Sequence, residues 1–199
     1  MKNVLKHVKK RILMVSMMIT VLGFANEKSF FSVKDDAKRT VLTLSNVHQG
    51  NILSIIDNNG IVLYKEEILK NGTFTKGFDL TALPNGNYVF ELDQAMEIKT
   101  IPFIVNIGKV NFKKQLEKSI YKPVIRFNNG LVYVTKLALD QEPLNVDIYF
   151  ESTNGQELVF SETITGTTNI SRVYRLTQSN EGLYKIMLNT NGKTFTKKI

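Results

Sequence analysis

Phe78-Asp79-Leu80-Thr81-Ala82-Leu83-Pro84-Asn85-Gly86-Asn87-Tyr88 decides the reading of this chain, because it returns as Tyr174-Arg175-Leu176-Thr177-Gln178-Ser179-Asn180-Glu181-Gly182-Leu183-Tyr184, 96 residues later. Both copies keep an aromatic residue, Leu two residues on, Gly six beyond that Leu, and Tyr two beyond the Gly. The spacing predicts Leu80 and Leu176 at the inward end of one strand, with the polar residues behind them crossing between two sheets. Gly86 and Gly182 suit turn positions with positive φ, where a Cβ is penalised. Pro84 lacks a backbone donor and fits a corner rather than a central strand. Tyr88 and Tyr184 then open the next strand. In immunoglobulin-like sandwiches a Tyr placed this way folds into the core and hydrogen-bonds back to the main chain, a tyrosine corner. The alternative is a Tyr that only packs at a strand start. Either way Leu80, Gly86, Tyr88, Leu176, Gly182 and Tyr184 are structural residues.

The rest of the chain alternates as strands do. Thr40-Val41-Leu42-Thr43-Leu44 alternates polar with apolar, and Val146, Ile148 and Phe150 alternate with Asp147, Tyr149 and Glu151. Asn51–Ile56 and Ile61–Tyr64 flank the turn Asp57-Asn58-Asn59-Gly60, which reads as a hairpin. Phe74–Leu80, Tyr88–Leu92 and Ile98–Val105 add strands, and Phe30–Val33 adds one in front. The second half repeats the plan at an offset of 95 or 96, through Leu131–Ala138, Leu158–Phe160, Ile170–Leu176, Tyr184–Leu188 and Lys193–Ile199. A period this long means duplication of a domain rather than a solenoid. The expectation is an all-β chain of two tandem immunoglobulin-like antiparallel sandwiches, residues 26–107 and 123–199, joined by a linker at 108–122. In the linker, Phe112, Leu116 and Ile120 recur every four residues, as in a short helix; an extended connector is the other reading.

Residues 1–25 read as an address. Lys2, Lys6, Lys9, Lys10 and Arg11 precede a run of 13 uncharged residues from Ile12 to Phe24, and Gly23-Phe24-Ala25 offers small residues for cleavage after Ala25. A retained membrane helix needs about 20 apolar residues. The expectation is export to the periplasm, cell surface or medium, with no membrane span after cleavage. Without that segment the 21 remaining basic residues outnumber the 18 acidic ones by three, too small a charge to suggest a nucleic-acid partner. The chain has no Cys, which rules out disulfides, thiolate metal sites and Cys nucleophiles.

Little in the chain points to chemistry. His48 is the one His beyond the address, beside Gln49-Gly50, and no nucleophile-elbow sequence accompanies it. Imidazole metal sites fail by number, and Asp57–Gly60 lacks the acidic ladder of a calcium loop. Asp35-Asp36, Glu66-Glu67, Asp140 and Glu142 are candidate carboxylates for a hydrolase, with nothing in their spacing to bring two together. The expectation is no enzyme, cofactor or metal. The chain also lacks Trp, which leaves Tyr64, Tyr133 and Tyr149 as the aromatics that could face outward toward a glycan.

The last 55 residues resemble the C-terminal sorting domain of type IX secretion cargo in Bacteroidota. The resemblance lies in Ser152–Leu158, Tyr174-Arg175-Leu176, Gly182-Leu183-Tyr184 and the ending Asn191–Ile199. Asn59-Gly60-Ile61-Val62 and Asp79-Leu80 to Tyr88 resemble it too, and equally resemble the small immunoglobulin-like domains of unknown function in secreted proteins of those bacteria. The resemblance implies a secreted binding or structural module at the cell envelope, with an envelope protein or a glycan as partner. Its alternative implication is a transport signal.

Overall fold

A computed structural model describes residues 30–36, 39–177 and 182–199. The expected address at 1–25 and residues 178–181 of the repeated stretch lie outside these. Sixteen strands form among the described residues. The first nine are β1 (Phe31–Asp36), β2 (Arg39–Val47), β3 (Ile52–Asp57), β4 (Val62–Glu67), β5 (Gly72–Phe78), β6 (Gly86–Asp93), β7 (Glu97–Asn106), β8 (Lys109–Phe112) and β9 (Lys118–Tyr121). The remainder are β10 (Val124–Asn128), β11 (Leu131–Leu137), β12 (Leu144–Ser152), β13 (Gly155–Ile164), β14 (Asn169–Arg175), β15 (Gly182–Thr190) and β16 (Lys193–Lys198). All their pairings are antiparallel.

The strand order is the same in the two halves. In the first, β1-β2-β5 faces β4-β3-β6-β7; in the second, β10-β11-β14 faces β13-β12-β15-β16. Strand for strand, each half runs in the same sequence and switches sheets at the same points. Two sheets share one core in each half, which makes each a β-sandwich. The first core joins Leu42 and Leu44 of β2 to Leu53, Phe90 and Phe103 of the opposite sheet. The second joins Val132 and Val134 of β11 to Val146, Ile148, Ile186 and Leu188.

The cores differ in what fills them. In the first, rings pass contact from Tyr64 to Phe78, Phe90, Phe103 and Tyr88, with centroids 5.2–5.4 Å apart. The centre of the second is aliphatic, and its aromatics stand at the rim. Burial of β-branched and leucine side chains supplies the same driving force without ring geometry.

The stretch 108–122 is neither a helix nor a free connector. β8 and β9 both hydrogen-bond to β7 and widen the first half's sheet, with a short 3-10 turn at Lys114–Leu116 between them. Phe112 stacks on Phe103 at 5.3 Å and Ile120 pairs with Ile98, while Leu116 is exposed. The period of four arises from two strands and a turn, with one of its three members facing water.

Gly86 and Gly182 also depart from expectation. Both open strands, and neither has a positive φ. At Gly182 the reason for glycine is close approach, because a Cβ there would stand 2.3 Å from the Glu151 carbonyl oxygen and 2.7 Å from the Phe150 ring. At Gly86 a Cβ would meet the Tyr88 ring at an ordinary 3.5 Å, and nothing in the structure requires glycine.

Candidate functional site

The two repeated tyrosines lie at matching bends. Tyr88 donates its hydroxyl hydrogen bond to the Pro84 carbonyl at 2.8 Å and stacks on Phe103, 5.4 Å away. Tyr184 donates to the Thr177 carbonyl at 3.0 Å and packs on Phe150 at 5.2 Å. Leu80 is buried in a 3-10 turn behind β5, and Leu176 packs partly buried behind β14.

A second duplicated constellation escaped sequence reading. Where β4 and β5 leave one side of the first sandwich open, Lys76 Nζ meets Glu66 Oε2 at 2.5 Å, and the Tyr64 hydroxyl donates to the same oxygen. The Tyr64 ring packs edge-on to Phe78, 5.2 Å away, and Lys76 Nζ also sits over that tyrosine ring at 5.2 Å. In the second sandwich Arg172 Nε donates to Glu162 Oε1 at 3.1 Å, the Tyr174 hydroxyl donates to it at 2.7 Å, and Phe160 packs on Tyr174 at 5.3 Å. Tyr64, Glu66, Lys76 and Phe78 correspond to Phe160, Glu162, Arg172 and Tyr174, each 96 residues on. The hydroxyl has changed strand, from β4 in the first half to β14 in the second, yet it reaches the equivalent carboxylate. Each group ties the edge of one sheet to the edge of the other.

The electrostatics of this seam suit holding rather than proton transfer. The hydrogen bond from Lys76, with that from Tyr64, keeps the Glu66 carboxyl below its ordinary value. The bond to Glu66 raises the Lys76 ammonium. Burial, then the neighbouring carboxylate, raises the Tyr64 and Tyr174 phenols. A carboxylate kept ionised beside a phenol kept protonated exchanges no proton near neutrality.

The other candidates fall apart in space. His48 is exposed in a turn whose N–H donates to Asn51 Oδ1 at 2.8 Å. Asp57 Oδ1 accepts the N–H groups of Asn59 and Ile61 at 2.8 Å, which spends it on the turn. Asp35 and Asp36 lie in β1, and Glu67 ends β4 beside Glu66. Among the described residues no three His, Asp or Glu gather as metal ligands. Tyr64 belongs to the seam, Tyr149 is half-buried, and Tyr133 is exposed on the outer side of β11.

One ionised pair is deeply placed. Lys136 is 3% exposed, and its Nζ meets Glu142 Oε1 at 2.5 Å and the Leu137 carbonyl at 3.1 Å. Burial pushes the Glu142 carboxyl up. The hydrogen bonds from Lys136 and its own N–H, with the charges of Lys136 and Lys118, outweigh that and leave it below its ordinary value. Lys136 pairs with Ile170 where Leu44 of the first half pairs with Phe74, so a cation stands where the other copy has leucine.

Where the halves meet, Lys193 binds Glu91 at 2.5 Å and Lys118 binds Asp140 at 3.1 Å. Beside these contacts a cleft of about 270 Å³ is lined by Met96, Tyr121, Val124, Thr135, Leu137 and Asn169. Lys122 stands at its wall, held by Asp93. The lining is largely apolar, with an amide and a hydroxyl able to orient a small polar ligand. Among the described residues no helix is long and apolar enough to cross a membrane.

No family model matches the sequence, and no curated protein matches it. Among solved structures the chain aligns with the BSP domain of a biofilm-associated protein, at 13% identity and a TM-score of 0.26, over 85% of this chain and 28% of that one. It aligns with the FN1-FN3 domains of chicken CNTN1 at 10% identity and a TM-score of 0.28, over 84% of this chain and 62% of that one. With the receptor tyrosine kinase Torso it shares 12% identity and a TM-score of 0.22, over 90% and 76% of the two chains. All three likenesses are distant, and the chain spans 28% and 62% of the length of the first two.

Proposed function

We propose that this chain is an exported, non-catalytic protein built from one sandwich module used twice, serving as a binding or structural unit at the cell envelope. Residues 1–25 are its export address. The modules are 26–107 and 123–199, with 108–122 serving the first as extra strands. The observation that carries this reading is the seam. A Tyr-carboxylate-cation cluster recurs at constant spacing, and each copy spends its acid on joining two sheets rather than on chemistry. A hydrolase needs two carboxyl groups converging on one bond, and each seam holds a single acid in its hydrogen-bonded cluster. The narrower reading of the last 55 residues as a transport signal draws its support from the sequence resemblance.

Cell fractionation tests the proposal, followed by incubation of the purified protein with the envelope of its own cells. The protein is expected outside the cytoplasm, shortened by the address, and retained on envelope material. Recovery of uncleaved protein from the cytoplasm would overturn it.

A further inference from the structure

The outward side of β10-β11-β14 differs from its counterpart in the first half in a way that packing does not require. Register fixes which residues share this face. Val132 and Val134 point inward, so Leu131, Tyr133, Thr135 and Leu137 point outward, joined by Val124 and Arg126 from β10 and by Asn169, Ser171, Val173 and Arg175 from β14. The face holds two guanidinium groups and no acidic residue. Its middle row is Arg126–Tyr133–Val173. In the first half, β1, β2 and β5 align Lys34–Val41–Gly77 in the corresponding row.

The same architecture therefore carries an exposed aromatic in the middle of this face in one copy and none in the other, where the Arg39 guanidinium lies over Gly77 instead. Tyr133 and Val173 are 37% and 54% exposed. Among the described residues, the Tyr133 hydroxyl and the Arg126 guanidinium have no side-chain partner. The outer side of the neighbouring sheet is different, because there Ser161 donates to Asp147, Thr163 to Asn145 and Thr194 to Asn189, at 2.7–2.9 Å. That side consumes its polar groups internally, and the Tyr133 side leaves them open. The face also runs directly into the junction cleft, which Val124, Thr135, Leu137 and Asn169 help to line.

We infer that this face, with the cleft at its end, binds an acidic glycan, a sugar polymer carrying carboxylates. The inference rests on reading the chain as an envelope-binding module and names the chemistry of its ligand. The Tyr133 ring provides a platform for the C–H side of a pyranose, and Arg126 a forked donor for a carboxylate. Thr135, Ser171 and Asn169 provide hydroxyl and amide partners for ring hydroxyls. The uniform positive sign of the face repels cationic partners and attracts anionic ones. An acidic peptide is the poorer fit. Extended peptides dock through the backbone of an edge strand, whereas this surface presents side chains from the middle of a sheet.

Affinity electrophoresis of the purified protein through gels containing alginate or polygalacturonate, at about 0.15 M salt, tests the inference. Neutral dextran and a single-stranded oligonucleotide serve as comparison arms. Retardation by the uronate polymers is expected, with little by dextran. Tyr133→Ala and Arg126→Ala are each expected to weaken it by roughly five- to tenfold. Tyr133→Trp retains binding, and Val41→Ala on the equivalent face of the first half leaves it unchanged. Both tested residues are exposed, so loss of binding with unaltered thermal unfolding reports the contact. Absence of retardation, retention by Tyr133→Ala, or stronger binding of the oligonucleotide or dextran would overturn the inference. If the protein holds to envelope material and not to uronates, the ligand class fails while the module reading stands. If it holds to neither, both fail.

Discussion

Ile107 is the least comfortable residue among those described. It occupies a two-residue hairpin with Gly108 between β7 and β8, at φ 49°, and is 84% exposed. Two other hairpins have the same form, and both use Asn-Gly, at Asn129-Gly130 and Asn191-Gly192. Positive φ at the first of these positions suits Asn and penalises a β-branched side chain by about 1–2 kcal/mol. The Asn85 side chain accepts the Ile107 N–H at 2.8 Å, which holds the turn in place. Ile107→Asn is therefore expected to raise stability by about 1 kcal/mol in urea unfolding, with the slope unchanged. A loss of stability would show that Ile107 makes a contact this fold does not account for. The Lys136–Glu142 pair gives a second expectation. Removing one partner strands a buried charge, so Lys136→Leu is expected to cost about 3–5 kcal/mol, and Lys136→Leu with Glu142→Leu to recover most of it. The Glu142 carboxyl titrates below its unfolded value. Its contribution is thus complete above the unfolded value, about pH 4.3, and is lost as pH falls through the lower folded value. Stability plotted against pH should drop on the acid side in the native protein and flatten in Glu142→Gln.

At the scale of elements, the seam explains how a sandwich with short edges keeps its open side closed. β4 and β13 are edge strands, and each carries a bulge at the matching point, between the partners of Ile55 and Ile56 and between those of Ile148 and Tyr149. Bulges discourage pairing with foreign strands, and the seam aromatics draw each edge inward. Because the hydroxyl has changed strand between copies, the second seam can be rebuilt on the plan of the first. Tyr174→Phe alone should cost about 1 kcal/mol, and adding Phe160→Tyr should restore it to within about 0.5 kcal/mol in a thermal unfolding series. A double variant no more stable than the single one would mean that the two seams differ in geometry. Much of this level was legible in advance: β2 through β7 and β11 through β16 follow from alternation and turns. The seam was not, because its partners lie on strands of opposite sheets and no local period joins them. β8 and β9 were hidden by an accidental period of four. The register spacing also drifts, since Thr40 faces Phe78 and Val132 faces Tyr174, so the copies stand 92 residues apart on one strand and 96 on the other. Insertion in the turns between strands absorbs that difference. The diverged outer face was invisible for a related reason, because Tyr133 announces itself only once its neighbours across β10 and β14 are known.

For the whole molecule, the two cores share no buried residue, and side chains cross between the halves mainly as the pairs Lys193–Glu91 and Lys118–Asp140. Partly exposed ion pairs of this kind contribute little, about 0–1 kcal/mol each, and are weakened by salt. Most of the stability of the second sandwich must then come from its own aliphatic core, with the seam and the Lys136–Glu142 pair as its polar ties. The amide spectrum of the isolated segment 123–199, set against that of the full chain under the same conditions, measures this most directly. The account predicts a dispersed spectrum whose shifts match the full chain except around Val124, Thr135, Asp140 and Lys193. A collapsed spectrum, or shifts displaced at core positions such as Ile148 and Ile186, would contradict it.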